Sequence, residues 1–240
     1  STTTRTVAIT YNARGLRDTL TITPQGASQP SFSEHLVYRG EQIGQVSVTT
    51  PLTTFTETLL YRPNGAPLEL LWQTPGQVTQ RYWYVVDGRN NVVGLTDSTR
   101  NFVDTYTYDL WGLQDLSTAG THETVHQPLR YRGYWFDGWD NSGDPTGANW
   151  NSGPLPWYWL QVRAYDPNLR RFLQPDPLTG GGLPSYVYAS DDPLDVSDAS
   201  GQGGVPAACG QRSFVDKGSN ATACVQQALQ AQQKQQRQQF

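Results

Sequence analysis

Five times in this 240-residue chain a tyrosine is followed four places later by a glycine. Tyr11 opens "YNARG", Tyr61 "YRPNG", Tyr84 "YVVDG", Tyr108 "YDLWG" and Tyr134 "YWFDG". From Tyr61 onward the steps are 23, 24 and 26 residues, and a degenerate copy, "YRGEQIG" at Tyr38, divides the longer gap before them. A period of about 24 residues holds two strands of about 5–8 residues and two turns. The text between the tyrosines agrees: "QVSVTT", "LELLWQT", "VTQRYWYVV" and "FVDTYTYDL" are rich in β-formers, while "PNG" and "DGRNN" carry turn residues that tolerate positive φ. One such unit cannot bury a face by itself. Neighbouring hairpins must pair edge to edge, and a long twisted strip of them coils or closes. The fold class is therefore mostly β, built from antiparallel hairpins in a curved or coiled sheet whose exposed edge strand calls for neighbours upstream.

Composition narrows the function. Aromatic residues reach 12%, with eight Trp and thirteen Tyr, so large rings carry much of the burial that a hydrophobic fraction of only 36% leaves open. The net charge is -4 and no basic patch occurs, which argues against a nucleic-acid partner. No apolar run approaches the roughly 18 residues of a membrane span. The chain starts at Ser1 and contains no Met, so it reads as a piece of something longer, with any export signal upstream.

The residues from Tyr108 to Gly112 and the unit "YVVDGRNNVVGLTDSTRNFVDTYTYDLWG" resemble the YD repeat of the bacterial Rhs family. The text "LRYRGYWFDG…WYWLQVRAYDPNLRRFLQPDPLTGG…YVYASDDPLDVSDASG" is similar to the family's repeat-associated core, which reads close to "YRGQYYD…LYYLRARYYDPxTGRFLSPDP…YAYVxNNPxNxxDPxG". Tyr165, Asp166, Pro167, Arg171, Phe172, Leu173, Pro175, Asp176 and Pro177 carry the match. Repeats and core together cover Tyr11 to Gly201. The resemblance divides the chain into hairpin repeats at 1–127, a core at 128–201 and a variable Gln-rich tail at 202–240.

Known members of the family wind their repeats into a hollow β-shell that the core closes at one end, with a C-terminal segment, often a toxin, inside. In many of them the core cuts the chain just after its last motif. The resemblance thus implies a secreted or cell-surface protein whose partners are an upstream shell of the same chain and its own C-terminal segment as cargo. No cofactor and no metal is expected: the three His are scattered, no C-x-x-C occurs, and the EF-hand pattern is absent. At most the resemblance implies an aspartyl-type enzyme acting on its own backbone. The expected cleavage motif is P-x-x-x-x-D-P-x-G-L, and Pro193–Gly201 reads "PLDVSDASG" followed by Gln202. Ala199 stands for the second Pro and Gln202 for the Leu, and Ala allows conformations that Pro forbids.

Self-cleavage would use Asp176 and Asp198, one ionised to activate water and one protonated to donate to the carbonyl or leaving amide. Arg171 would hold the developing charge through its fork of donors. The scissile bond would be Gly201–Gln202 or Gln202–Gly203. Asp191, Asp192 and Asp195 read as solvated turn residues.

The remaining features read more plainly. The stretch from Trp139 to Trp159 is an insertion relative to the family, read as a long loop pinned by aromatics. Its rings also suit an alternative function, a cell-surface module that binds glycans or proteins without catalysis. His122 and His126 share "THETVHQP", where β-branched neighbours and a Pro favour a surface loop. Cys209 and Cys224 are equally compatible with a disulfide and with two free thiols. The tail after Asn220 suits a short helix or disorder alike.

Overall fold

The computed structural model describes residues 5–114, 125–138, 157–176, 186–198, 200–201 and 205–206. Nine strands run in chain order through one antiparallel sheet: β1 (Arg5–Tyr11), β2 (Arg17–Pro24), β3 (Phe32–Arg39), β4 (Gln42–Thr49), β5 (Thr54–Tyr61), β6 (Pro67–Gln73), β7 (Gln80–Val86), β8 (Val92–Thr96) and β9 (Phe102–Thr105). Each strand pairs with its sequence neighbours, and β1 and β9 are the free ends. Four short strands form a second sheet: β10 (Trp135–Phe136), β11 (Tyr158–Leu160), β12 (Arg163–Asp166) and β13 (Arg171–Phe172). A third pairs β14 (Val196–Ser197) with β15 (Val205–Pro206).

The turns explain the repeat. Gly15, Gly40, Gly65 and Asn90 are all left-handed and lie 25 residues apart, and Gly112 follows in the same conformation. Ahead of three of these stands a side chain that folds the turn by itself. Oδ1 of Asn12 accepts from the amides of Arg14 and Leu16, Asp87 from Arg89 and Asn91, and Asp109 from Trp111 and Leu113, all at 2.8–3.1 Å. Asp97 does the same for Thr99 and Asn101 at the opposite rim, where Arg100 takes the left-handed place. Short carboxylate and amide side chains are the residues that can mimic a backbone turn in this way. The tyrosine before the turn ties one hairpin to the last: Tyr61 Oη donates to the Ile43 carbonyl at 2.9 Å and Tyr108 Oη to that of Val92 at 2.8 Å.

Two of the five copies read from spacing fall elsewhere. At Tyr84 the left-handed residue is Asn90 rather than Gly88, and Val86 holds the tyrosine's place before Asp87. At Tyr134 there is no such turn, because Trp135–Phe136 is strand β10 and Tyr134 is buried.

Alternation places one face of the large sheet inward. Leu20, Phe32, Val46, Phe55, Leu70 and Leu95 are at most 1% exposed. They share a single apolar cluster with Val125, Leu129, Trp135, Trp159 and Ala164 from the later part of the chain. Residues 125–138 and 157–164 therefore cover the inner face. A second cluster, mostly aromatic, joins Tyr131, Tyr134, Tyr158, Tyr165 and Tyr188 to Phe136 and Phe172.

Polar contacts lock this cover in place. Three tyrosines, Tyr131 and Tyr158 of the cover and Tyr165 just after it, donate to three successive carbonyls of the Asp109 turn: Tyr131 to Leu110 at 2.8 Å, Tyr165 to Trp111 at 2.7 Å and Tyr158 to Gly112 at 2.7 Å. Arg17 of β2, fully buried, pairs with Asp137 at 2.7 Å and also with Glu34 of β3. His126 is buried rather than on a surface loop: its Nδ1 is 2.5 Å from Oε1 of Glu57 on β5, and its ring meets Phe55 edge-on. Burial pushes the carboxyls of both Glu57 and Asp137 above the usual range, against the opposing pull of His126 and Arg17 respectively. His122, residues 139–156 of the Trp139–Trp159 insertion and the Gln-rich tail from 207 on, including Cys209 and Cys224, lie outside the described residues, while Tyr158 and Trp159 at the end of the insertion belong to β11.

Candidate functional site

The second sheet assembles the site. Arg163 and Tyr165 sit two apart on β12, on one face as strand alternation requires, and both are buried, as is Ala164 on the other face. Asp166 closes the β12–β13 hairpin by accepting from the amides of Asn168 and Leu169, with Arg170 left-handed where the family core has Gly. The chain then leaves β13 toward Asp176. Asp198 arrives from the other side, directly after β14.

The structure brings both aspartates to one cation. Arg163 Nη2 is 3.1 Å from Oδ2 of Asp176 and 3.2 Å from Oδ2 of Asp198. The Arg163 Nε–H donates to the carbonyl oxygen of Gly201. The guanidinium also lies over the Phe172 ring, 3.5 Å from its centroid. Arg163 and Asp198 are almost fully buried, whereas the Asp176 side chain is 25% exposed, so water reaches the pair from the Asp176 side. Desolvation lowers the Arg163 pKa, and the two carboxylates oppose that shift.

Arg171, the arginine assigned by sequence to the developing charge, is placed differently. It lies exposed on β13, in register with Asp166. Arg163 holds the place between the carboxylates. One signal in the sequence pointed to it: the arginine that the core pattern of the Rhs family carries at the place of Arg163 in "QVRAYD". Gln202 and Pro177 lie outside the described residues, as does Ala199.

Gly201 is fixed by two demands. Its φ is +67°, a conformation that L side chains resist, and a Cβ there would stand 2.5 Å from the Leu160 carbonyl oxygen. The chain returns at β15 to pair with β14, Ser197 opposite Val205, so residues on both sides of the Gly201–Gln202 bond are tied beside Asp198. The Arg163 guanidinium thus holds the Gly201 carbonyl oxygen and two carboxyl groups at once. That is the donor and acceptor set that acid–base hydrolysis of an amide needs.

No family model matches the chain. Among curated proteins it is similar to the tRNA nuclease WapA of Bacillus subtilis, 28% identical over 127 residues covering 51% of this chain and 5% of that protein. It is also similar to the tRNA3(Ser)-specific nuclease WapA of Bacillus spizizenii, 26% identical over 169 residues covering 68% of this chain and 6% of the relative. Salivary gland surface protein 1 of Aedes aegypti is 29% identical over 122 residues, 51% of this chain and 3% of that one. The chain thus spans only a small part of each of these relatives. In fold it is similar to the crystal structure of TcdB2-TccC3-Cdc42, with a TM-score of 0.51 at 16% identity over 81% of this chain and 10% of that one. The Photorhabdus luminescens Tc holotoxin pore gives 0.50 at 14% identity over 90% of this chain and 10% of that one. At these identities the structural likeness is one of fold alone. Among the described residues no helix is long and apolar enough to cross a membrane.

Proposed function

We propose that this chain is the C-terminal part of an Rhs-type YD-repeat protein of the toxin-delivery kind, and that its core cuts its own backbone after Gly201. The hairpin sheet is a strip of shell wall, residues 128–201 are the core that closes it, and the segment after the cut is cargo. The sequence similarity to WapA and the fold likeness to TccC3-containing toxin complexes support the family reading. Nuclease activity belongs to those whole proteins and is not assigned to this stretch. A secreted or cell-surface location follows from the same reading.

The single observation that carries the chemistry is the convergence of Asp176, Asp198 and the Gly201 carbonyl on Arg163. In the reaction, Arg163 polarises the Gly201 carbonyl. Asp176, the more exposed carboxylate, takes a proton from an attacking water, and oxygen adds to the carbonyl carbon. The Gly201–Gln202 bond then breaks, the amine of Gln202 leaves with a proton from the carboxyl pair, and Gly201 ends as a carboxylate. Because target and catalyst share one chain, proximity supplies much of the rate. After the cut, only the two-residue β14–β15 ladder ties the downstream segment here among the described residues. Intact-mass analysis of the purified chain tests this: fragments that part after Gly201, lost in Asp176→Asn and Asp198→Asn, support the reading. A chain that stays whole sinks it.

A further inference from the structure

The loop that delivers Asp198 contains an unusual backbone. Ala189, Ser190 and Asp191 are three consecutive non-glycine residues with φ of 50°, 55° and 62°. They form one left-handed 3-10 turn, in which the Asp191 amide donates to the Tyr188 carbonyl at 3.0 Å and that of Asp192 to Ala189 at 2.9 Å. For L residues this conformation costs on the order of 1–2 kcal/mol each, and it normally occurs one residue at a time. Such a run persists only where its surroundings over-determine it.

Two anchors flank the turn. On the upstream side, the fully buried Tyr188 packs its ring 4.1 Å from that of Tyr165 and shares a hydroxyl contact of 3.1 Å with Tyr134. On the downstream side, the Arg132 guanidinium donates to the Pro193 carbonyl. Arg132 is itself left-handed and only 7% exposed, and its backbone amide donates to Oδ1 of Asn91 at 2.9 Å. Asn91 belongs to the β7–β8 repeat turn. Past Pro193 the chain has little freedom before the site. The Val196 amide closes on the Asp192 carbonyl at 2.9 Å, β14 follows, and Asp198 comes next.

We propose that Arg132 is a positioning residue for Asp198: by clamping Pro193 to a turn of the repeat sheet, it holds the left-handed turn closed and so aims the Asp198 carboxylate at Arg163. The inference rests on reading Asp198 as part of the cleavage site. It adds that the site is complete only when the β7–β8 repeat is folded beside it. Nothing in the clamp touches the scissile bond, so Arg132 acts through the loop.

The test uses the full chain and two readouts, amide hydrogen exchange and intact mass. Arg132→Ala is expected to speed exchange of the Asp191 and Val196 amides about fivefold to thirtyfold, the factor that 1–2 kcal/mol represents, while β8 amides such as Leu95 keep their rate. Adding Ser190→Gly, which removes the left-handed cost at one residue, is expected to return most of that factor and to restore cleavage. A merely structural role for Arg132 would not be rescued by a glycine at position 190. Unchanged exchange in Arg132→Ala, or no rescue by Ser190→Gly, overturns the proposal. If Arg132→Ala loses the whole fold, seen at Leu95, Ser190→Gly alone decides: exchange at Val196 must slow, and an unchanged rate overturns the clamp. Exchange results as expected without any wild-type cleavage would reject the cleavage reading and keep the clamp. Cleavage with flat exchange results would do the reverse.

Discussion

Arg163 donates to the carbonyl oxygen of Gly201 through Nε while its Nη2 lies within hydrogen-bond range of both Asp176 and Asp198. One side chain thus sets the spacing between the Gly201 peptide and both carboxyl groups, the geometry on which the proposed cleavage rests. The contact depends on Gly201 lying against the Leu160 carbonyl. Gly201→Ala adds a methyl with no room and a conformation costing on the order of 1–2 kcal/mol. We expect a melting temperature lower by a few degrees and cleavage reduced at least about tenfold, out of proportion to the stability change. Calorimetry and intact mass on the same sample check both. Wild-type cleavage in the alanine variant would show that the carbonyl needs no such seat.

Removal of one member of the Arg17–Glu34–Asp137 group leaves charges buried without compensation, a change that typically costs about 3–5 kcal/mol. Arg17→Ala should therefore lower the melting temperature by about 10 °C and detach residues 125–138 from the inner face. The Arg81–Glu69 pair at 2.6 Å has an exposed arginine on a buried glutamate, and Arg81→Ala should lower the melting temperature less than Arg17→Ala does. Thermal unfolding of the two variants side by side separates a fully buried clamp from a pair with one exposed partner.

Stability should fall as pH rises above the ordinary carboxylate range. Burial raises the folded pKa of both Glu57 and Asp137 above the unfolded value of about 4. Between the two values the folded chain binds more protons than the unfolded one, so this contribution is full below about pH 4 and is lost as pH climbs through the raised pKa. Asp97, held low first by its Thr99 hydrogen bond, acts oppositely and loses its contribution only below the ordinary carboxylate range. The expected result is a melting temperature that falls as pH is raised from about 4, with a flatter profile in Glu57→Gln. An identical slope in wild type and Glu57→Gln would remove Glu57 from the explanation.

Asp109 shapes the turn to which three tyrosines dock. Asp109→Ala removes the acceptor for the Trp111 and Leu113 amides, at a cost of about 1 kcal/mol by analogy with helix caps. Its effect should pass to the cover: hydrogen exchange should quicken in 131–138 and 158–165 as well as at 110–113. Quickening confined to the turn would mean that the tyrosine contacts do not couple the two parts.

Much of this was legible in the chain text for physical reasons. Hairpin repeats announce themselves because each needs the same turn residue, and Gly15, Gly65 and Gly112 fall where Tyr-x-x-x-Gly places them. Gly88 misled because Asn also tolerates a left-handed backbone, and Asn90 took the position instead. Asp176 and Asp198 were legible through the core motif. The arginine was harder, since "NLRRF" offers a conspicuous pair at Arg170 and Arg171, and strand parity does not single out Arg163 on a strand buried on both faces. His126 looked like a loop residue because its partner, Glu57, lies 69 positions earlier, and no local pattern reports a contact that the covering segment creates. The left-handed turn at Ala189–Asp191 carries no glycine to announce it.

The proposed reaction is cleavage of the chain by its own core beside Arg163. Time-resolved intact-mass analysis of freshly purified full chain, alongside Asp176→Asn, Asp198→Asn and Arg163→Lys, is its sharpest test. The wild type is expected to give two fragments, parting after Gly201, with all three variants remaining whole while keeping the wild-type circular dichroism spectrum. A wild-type chain that stays a single species, or one whose fragments appear equally in Asp198→Asn, contradicts it.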